Sequence, residues 1–200
     1  MKAEKLCKSF GALQVIRDFS YAFPERGAVA ITGRSGSGKT TLLHMLLGIL
    51  KPDSGIITAA PRMGAVFQED RLVNSLSVKN NLRLISKDTD EIARHLRAIG
   101  LYDNRGDRIE SLSGGMKRRL AIARAMLYKC EAVLMDEPYV GLDAETRARI
   151  ADYALSECAD RLIVFITHDP EVIKLMKPAD IITLEGGTHE ARKLFEQDWH

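Results

Sequence analysis

Residues 31–43 read Ile31-Thr32-Gly33-Arg34-Ser35-Gly36-Ser37-Gly38-Lys39-Thr40-Thr41-Leu42-Leu43. They contain the pattern G-x-x-x-x-G-K-[ST], which is typical of a loop that binds phosphate. The apolar run at 28–32 predicts a buried strand, and 41–50, rich in Leu and Met, predicts a helix. A strand, a glycine loop and a helix in this order aim backbone N–H groups and a helix dipole at one point. The alternative, a glycine-rich turn with a chance Lys-Thr, leaves the flanking elements unexplained.

The residue types of the loop indicate how a phosphate chain would be held. Its glycines allow backbone angles that a side chain would forbid, so the chain can close around an anion. The Lys39 ammonium would reach the terminal phosphates, and the Thr40 hydroxyl would ligate Mg²⁺, which prefers oxygen ligands. We therefore predict a bound nucleoside triphosphate held by Gly33, Arg34, Ser35, Gly36, Ser37, Gly38, Lys39, Thr40 and Thr41.

The composition restricts the class of protein. The chain has 200 residues, 46% hydrophobic and 28% charged, which is typical of a globular domain with its own core. A net charge of +2 provides no strong field, so no nucleic-acid partner is expected. The three cysteines lack metal-binding spacing and predict free thiols in a reducing compartment. Met1 to Phe10 lacks the apolar core of a signal peptide, and no apolar run approaches the roughly 20 residues that span a bilayer.

Outside the loop, strand and helix patterns alternate, which predicts an α/β sheet with a helical block inserted between its early and late strands. The basic run Lys117-Arg118-Arg119 lies off the apolar stripe of its helix and predicts a solvated face. Residues 186–200 are charged and predict the surface end of the chain. The other predicted elements are a small β layer near Leu6 and at 16–23, strands at 56–58 and 63–67, a helical region at about 72–127, strands at 132–135 and 162–166 around a helix at 144–158, and a strand at 181–184.

An acidic pair, Asp136 and Glu137, follows the predicted strand at 132–135. Ligands of parallel sheets bind at the carboxyl ends of the strands, where the phosphate loop also begins. Asp136 would therefore meet the Mg²⁺ on the phosphates, and Glu137 would polarise an attacking water as general base. The alternative is a pair of solvated acids at a strand end.

A second helix start follows Leu112, where the chain reads Ser113-Gly114-Gly115. Serine is a good N-cap, and the two glycines leave the N–H groups of the first turn open. The pattern predicts a second anion site of the same physical type as the phosphate loop. An ordinary capped helix after a glycine turn is the alternative.

Together, these motifs resemble those of the ATP-binding subunits of the ABC transporter family, and the resemblance runs from about residue 4 to 185. Met116 stands where the family usually has Gln, and Arg34 replaces a common Pro. Six family motifs occur in the family's order: Walker A at Gly33 to Thr40, the Q-loop at Gln68, the signature at Leu112 to Met116, Walker B at Val133 to Glu137, the D-loop at Gly141 to Asp143 and the switch histidine at His168, with Phe10 at the place of an adenine-stacking aromatic.

The resemblance implies a P-loop NTPase: a mixed sheet core, a small N-terminal antiparallel β layer and an inserted helical subdomain at about 72–127, all in one domain, 1–200. It implies that two copies, or this chain and a paired ATPase subunit, join head to tail. ATP would lie between one phosphate loop and the partner's Ser113, Gly114 and Gly115, with Asp143 nearby. Gln68 would contact Mg²⁺ and the attacking water, and His168 the γ-phosphate.

The resemblance also implies partners and a location. Transmembrane permease subunits would form the channel, and the ATPase would be peripheral, at the cytoplasmic face of the membrane. A separate ATPase chain resembles those of importers, which use an extracytoplasmic solute-binding protein, and the stretch 67–72 resembles that of the nitrate, sulfonate and taurine group. The alternatives are the ATPase of an exporter, a non-transport ABC ATPase, and a metabolic P-loop kinase, which should lack the Ser-Gly-Gly signature. The cargo itself is not readable from this chain.

Overall fold

The computed structural model describes residues 1–194, which contain nine strands and six α-helices. In chain order these are β1 (Lys2–Phe10), β2 (Leu13–Ala22), β3 (Gly27–Gly33), α1 (Lys39–Leu46), β4 (Ser54–Thr58), β5 (Met63–Val66), α2 (Val78–Arg83), α3 (Thr89–Ala98), α4 (Gly114–Leu127), β6 (Ala132–Asp136), α5 (Ala144–Glu157), β7 (Leu162–Ile166), α6 (Pro170–Met176), β8 (Asp180–Glu185) and β9 (Thr188–Lys193). A 3₁₀ turn at Ile109–Ser111 precedes α4.

Six strands form the central sheet in the order β5-β6-β7-β3-β8-β9. The first five are parallel, and β9 runs antiparallel to β8. Every residue of β6 and β7 is buried, which explains their continuous apolar sequences, because both faces of a parallel sheet are covered. The carboxyl ends of the parallel strands meet at one edge, so the residues that follow them come together there.

The first strands form a separate antiparallel sheet in the order β2-β1-β4. This sheet and α1 cover one face of the central sheet, where Leu6, Phe19 and Leu43 are fully buried in one cluster with Val29 and Ile31. The predicted small N-terminal β layer is thereby confirmed.

The helical region covers the opposite face of the central sheet. Side chains alternate along the strands: Leu134 and Val164 belong to the cluster under the β layer, whereas Val133 and Phe165 belong to the cluster under the helices. The predicted α/β core with an inserted helical block is confirmed. That the whole chain, 1–200, is a single domain stays a prediction.

One predicted helix begins and ends earlier in the chain than expected. The helix expected at 41–50 is α1, which begins at Lys39 and ends at Leu46. Gly48 follows with a φ of 72°, a left-handed turn that glycine adopts readily and that stops the helix.

The chain end expected as plain surface contains a strand. β9 pairs with β8 through a tight turn at Gly186 and Gly187, whose φ values are 53° and 88°. Positive φ at both turn positions is typical of a two-residue hairpin turn, which a Gly-Gly pair favours. The sequence therefore contained a hairpin signal, but the many charged residues of this edge strand led us to predict plain surface. Residues 195–200 of the predicted surface end lie outside the described residues.

Cys7, Cys130 and Cys158 are free thiols, as predicted. Burial raises the pKa of the Cys158 thiol to about 11. Within residues 1–194, none of the helices combines the length and the apolar character needed to cross a membrane.

Candidate functional site

The predicted phosphate loop connects β3 to α1. Gly33 has a φ of 135°, and a Cβ there would lie 2.3 Å from the carbonyl oxygen of Leu184. Gly38 has a φ of 98°, and a Cβ there would lie 2.7 Å from Cγ1 of Val15. The loop therefore requires glycine at both ends, for its backbone angles and for the space that its neighbours leave.

Lys39 folds back over this loop. Its Nζ donates hydrogen bonds to the carbonyl oxygens of Gly33 and Arg34, each at 2.9 Å. Ser37 Oγ is buried and finds no hydrogen-bond partner within the described residues. Because buried hydroxyl groups are nearly always paired, this oxygen fits a loop built to surround a phosphate.

Asp136 and Thr40 bring two oxygens together beside the loop. Asp136 ends β6 and is 3% exposed, and Thr40 Oγ1 donates to its Oδ2 at 2.7 Å. Gln68 lines the same cleft. Across residues 1–194, no three His, Cys, Asp or Glu side chains gather as a metal site, so an ion here would also need phosphate oxygens. This donor set fits the predicted Mg²⁺, which prefers oxygen ligands and keeps few protein ones.

Glu137 and His168 pair at the ends of the neighbouring strands β6 and β7. His168 Nδ1 and Glu137 Oε1 are 2.7 Å apart. The backbone of Glu137 has a φ of 46°, and its N–H donates to the carbonyl oxygen of Ile166 at 3.1 Å. This left-handed turn directs the chain away from the strand and leaves the carboxylate beside the cleft. A carboxylate oriented in this way can accept a proton from water.

These groups surround one open cleft of about 1030 Å³. Phe10, which is half exposed, lies among them at the end of β1. The predicted residues that line the cleft are Phe10, Gly33, Arg34, Ser35, Gly36, Gly38, Lys39, Thr40, Thr41, Gln68, Gly114, Gly115, Asp136, Glu137 and His168. Gly141 of the predicted D-loop also lines the cleft. Lining residues that the sequence did not indicate as site residues are Val15, Asp70, Arg118, Val140 and Ile166.

Ser113 and Asp143 are predicted site residues that do not line the cleft. Ser113 is the N-cap of α4 and accepts a hydrogen bond from the N–H of Met116 at 3.3 Å. Asp143 is the N-cap of α5, and the N–H of Thr146, at 2.9 Å, lowers the pKa of its carboxyl. Both side chains are exposed. Their contacts with nucleotide on a second copy stay predictions.

The basic run on α4 is not the solvated face that we predicted. Arg118 is 5% exposed, and its guanidinium donates to the segments that follow β5 and β6. Arg119 and Arg124 are partly buried and also donate to backbone carbonyl oxygens. A signal was present in the spacing, because Arg118 is four residues after Gly114 and so lies on the helix face that opens to the cleft.

Arg147 is a second arginine that the sequence did not reveal. It donates to the carbonyl oxygen of Leu142 at 3.3 Å and to Asp169 Oδ2 at 2.6 Å. It therefore links the segment of Asp143 to that of His168.

Comparison with known proteins identifies the family. The family model described as ABC transporter matches residues 16–140, which is more than half of the chain. The chain belongs to the ABC transporter family. It is an ATP-binding subunit that hydrolyses ATP, and the prediction of an importer-type ABC ATPase is confirmed.

Relatives within the ABC transporter family cover nearly all of the chain. The aliphatic sulfonates import ATP-binding protein SsuB of Zymomonas mobilis is 36% identical over 94% of this chain and 82% of its own length. SsuB 2 of Pseudomonas fluorescens is 35% identical over 94% of this chain and 74% of its own length. The dimeric post-hydrolysis structure of the ATP-binding cassette MJ0796, bound to ADP and Pi, matches with a TM-score of 0.83 and 25% identity, over 97% of this chain and 98% of that one.

Proposed function

We propose that this chain powers the import of sulfonates through separate membrane subunits, by binding and hydrolysing ATP between two ATPase copies. One observation supports the proposal of ATP hydrolysis: the phosphate loop, the Thr40–Asp136 pair and the Glu137–His168 pair all lie in one cleft. The import names of the relatives support the transport part.

Each group in the cleft has a proposed task. The loop N–H groups and the Lys39 ammonium hold the phosphates, and Phe10 stacks on the base through its π face. Thr40, Asp136 and Gln68 would hold Mg²⁺. When bound, the metal supplies positive charge that offsets the charge of the phosphate oxygens.

Glu137 is the proposed base for the attacking water. Its carboxylate takes a proton from the water as the water oxygen attacks the γ-phosphorus. The bond from this phosphorus to the bridging oxygen of the β-phosphate breaks, ADP leaves, and the proton passes from Glu137 to the phosphate product. His168 keeps the carboxylate in place through the 2.7 Å contact between Nδ1 and Oε1. An N–H at Nδ1 donates to the carboxylate, so we infer that this nitrogen carries the proton.

The second half of the site would come from the partner copy. Ser113 caps α4 outside the cleft of its own chain, and Gly114 is exposed beside it. We infer that this helix start meets the γ-phosphate bound by a second copy in a head-to-tail dimer.

The membrane subunits need a docking surface on the ATPase. Val73, Leu84 and Ile85 in the helical region are 39%, 55% and 39% exposed. Contiguous exposed apolar side chains mark interaction sites, and we infer that these three belong to one. We infer that permease subunits contact this chain through these residues. The chain would then lie peripherally at the cytoplasmic side of the membrane, and a solute-binding protein would act on the other side.

The sulfonate assignment can be tested in the source organism. Disruption of the gene should abolish growth on an alkanesulfonate as the sole sulfur source and leave growth on sulfate unchanged. The wild-type gene should restore growth, and a Glu137→Gln gene should not. Growth on the alkanesulfonate without the gene would contradict the assignment.

A further inference from the structure

The guanidinium of Arg118 lies between the two segments that carry Gln68 and Glu137. Arg118 belongs to the second turn of α4 and is 5% exposed. Charged side chains are almost never this buried unless their donors are paired. The partners of this arginine therefore indicate what it does.

One set of partners is the turn after β6. Nε donates to the carbonyl oxygen of Pro138 at 2.9 Å, and Nη2 donates to those of Asp136 at 2.8 Å and Glu137 at 2.5 Å. The chain leaves the strand here, and Glu137 adopts a φ of 46°, which a non-glycine residue keeps only where its surroundings hold it. Three bonds from one guanidinium hold this turn.

The other set of partners is the segment after β5. Nη1 donates to the carbonyl oxygens of Phe67 at 2.6 Å and Gln68 at 3.3 Å, and to Asp70 Oδ1 at 3.2 Å. Gln68 itself is exposed at the cleft, and the segment continues beyond it without regular structure. Arg118 is thus a rigid support beneath an otherwise irregular stretch.

We propose that Arg118 is a positioning residue for ATP hydrolysis. By binding the backbones of Gln68 and Glu137, it sets the distance between these two residues. This rests on the proposed function, in which Gln68 would help to hold Mg²⁺ and Glu137 is the base for the attacking water. An arginine suits the task because its five donors form a planar fork that reaches both segments at once. A lysine carries its donors on a single nitrogen and cannot bridge them.

The test compares Arg118→Lys and Arg118→Gln with a matched control elsewhere in the chain. Arg118→Lys keeps the charge and loses the fork, and Arg118→Gln keeps two donors and loses the charge. The control is Arg161→Met, because Arg161 also donates to backbone carbonyl oxygens, those of Tyr128 at 2.9 Å and Met126 at 3.1 Å. Arg161 precedes β7, at the sheet edge opposite the cleft.

The readouts are the thermal midpoint and the steady-state kcat and KM for ATP with excess Mg²⁺. Both Arg118 variants should lower kcat at least about tenfold, because a misplacement of about 1 Å costs up to about 100-fold. KM should stay within about threefold, since the loss falls on the transition state. Arg161→Met should lower the thermal midpoint and leave kcat within about twofold of the wild type.

The possible failures are distinct. A kcat near the wild-type value in Arg118→Lys would overturn the positioning role alone. The role would also be overturned if the Arg118 variants changed both kcat and KM and also lost more thermal stability than Arg161→Met, because general destabilisation would then explain the loss. Absence of ATP hydrolysis by the wild-type chain would overturn the proposed function, and the positioning role with it.

Discussion

At the scale of single residues, Glu137 combines a strained backbone conformation with the proposed role of general base. Its left-handed φ of 46° costs roughly 1–3 kcal/mol for a residue with a side chain. The bonds from Arg118 and the contact with His168 hold the residue in this conformation. A straight continuation of β6 would keep Glu137 in the strand and away from His168. The strain is therefore linked to the position that the proposed base requires.

Glu137→Gln should retain ATP binding and lose turnover, because an amide cannot accept the proton of the attacking water. The expected drop in kcat is about 100-fold or more, the range for loss of a general base. Phosphate release measures turnover, and equilibrium titration measures binding. Glu131→Gln is the matched control, because Glu131 precedes the same strand at its other end and pairs with Arg62. Turnover of Glu137→Gln near the wild-type rate would remove this residue from the base role.

Lys39→Ala should weaken ATP binding by about tenfold or more, since a charged hydrogen bond contributes about 1.5–3 kcal/mol. The loop also loses the two bonds that Nζ donates to Gly33 and Arg34. Calorimetric titration with ATP measures the effect. Lys51→Ala, an exposed lysine after α1, provides the control. An unchanged affinity in Lys39→Ala would contradict the assignment of the loop.

At the scale of elements, buried polar contacts join the helices behind the cleft. His95 of α3 is 1% exposed, and its Nδ1 lies 2.5 Å from the hydroxyl of Tyr153 on α5. Its Nε2 lies 2.9 Å from Nη2 of Arg94 and 3.8 Å from Glu157. Burial lowers the pKa of His95 below its usual value of 6.5 and outweighs the opposite effect of Glu157. The α3–α5 contact therefore favours the neutral form of the histidine.

His95→Gln should flatten the dependence of stability on pH. As pH falls below about 6.5, the unfolded chain binds a proton at this position before the folded chain does, so wild-type stability declines. Between pH 7.5 and 5.5 the wild-type thermal midpoint should fall by more than that of His95→Gln. The matched control is His44→Gln, the same substitution at a partly exposed histidine of α1. Parallel slopes for the wild type and His95→Gln would contradict this account.

At the scale of the whole molecule, two predicted site residues lie outside the cleft that holds most of the others. The phosphate loop and the acidic pair line the cleft, whereas Ser113 and Asp143 cap their helices outside it. The structural relative MJ0796 is a dimer with bound ADP and Pi. In the proposed dimer, a second copy would supply the other half of the site.

Ser113→Arg should block the ATP-dependent dimer and leave ATP binding by the single chain intact, because a bulky cation replaces the cap at the contact. In a Glu137→Gln background, ATP should shift the chain to twice its mass in size-exclusion chromatography with light scattering. The added Ser113→Arg should abolish this shift. Ser77→Arg, which removes the N-cap of α2, is the control for loss of a cap alone. A dimer formed by the Ser113→Arg protein would contradict the shared site.

Local patterns predicted most of the elements and placed the glycine loop correctly between a strand and a helix. The loop was readable because glycine spacing, a strand and a helix all lie within about twenty residues. Arg118 was misjudged for the opposite reason. Its partners are 18 to 51 residues away along the chain, and a helix wheel cannot show that carbonyl oxygens of two other segments face it.

The sequence by itself determined where the glycine loop lies, which strands are buried and to which family the chain belongs, because each of these depends on neighbours along the chain. Only the tertiary structure decided which groups meet. Thr40 contacts Asp136, Glu137 contacts His168, and Arg118 contacts the backbones of the segments that follow β5 and β6. The physical reason is that parallel strands distant in sequence end at one edge of the sheet, so contacts there follow from strand order and not from local propensity.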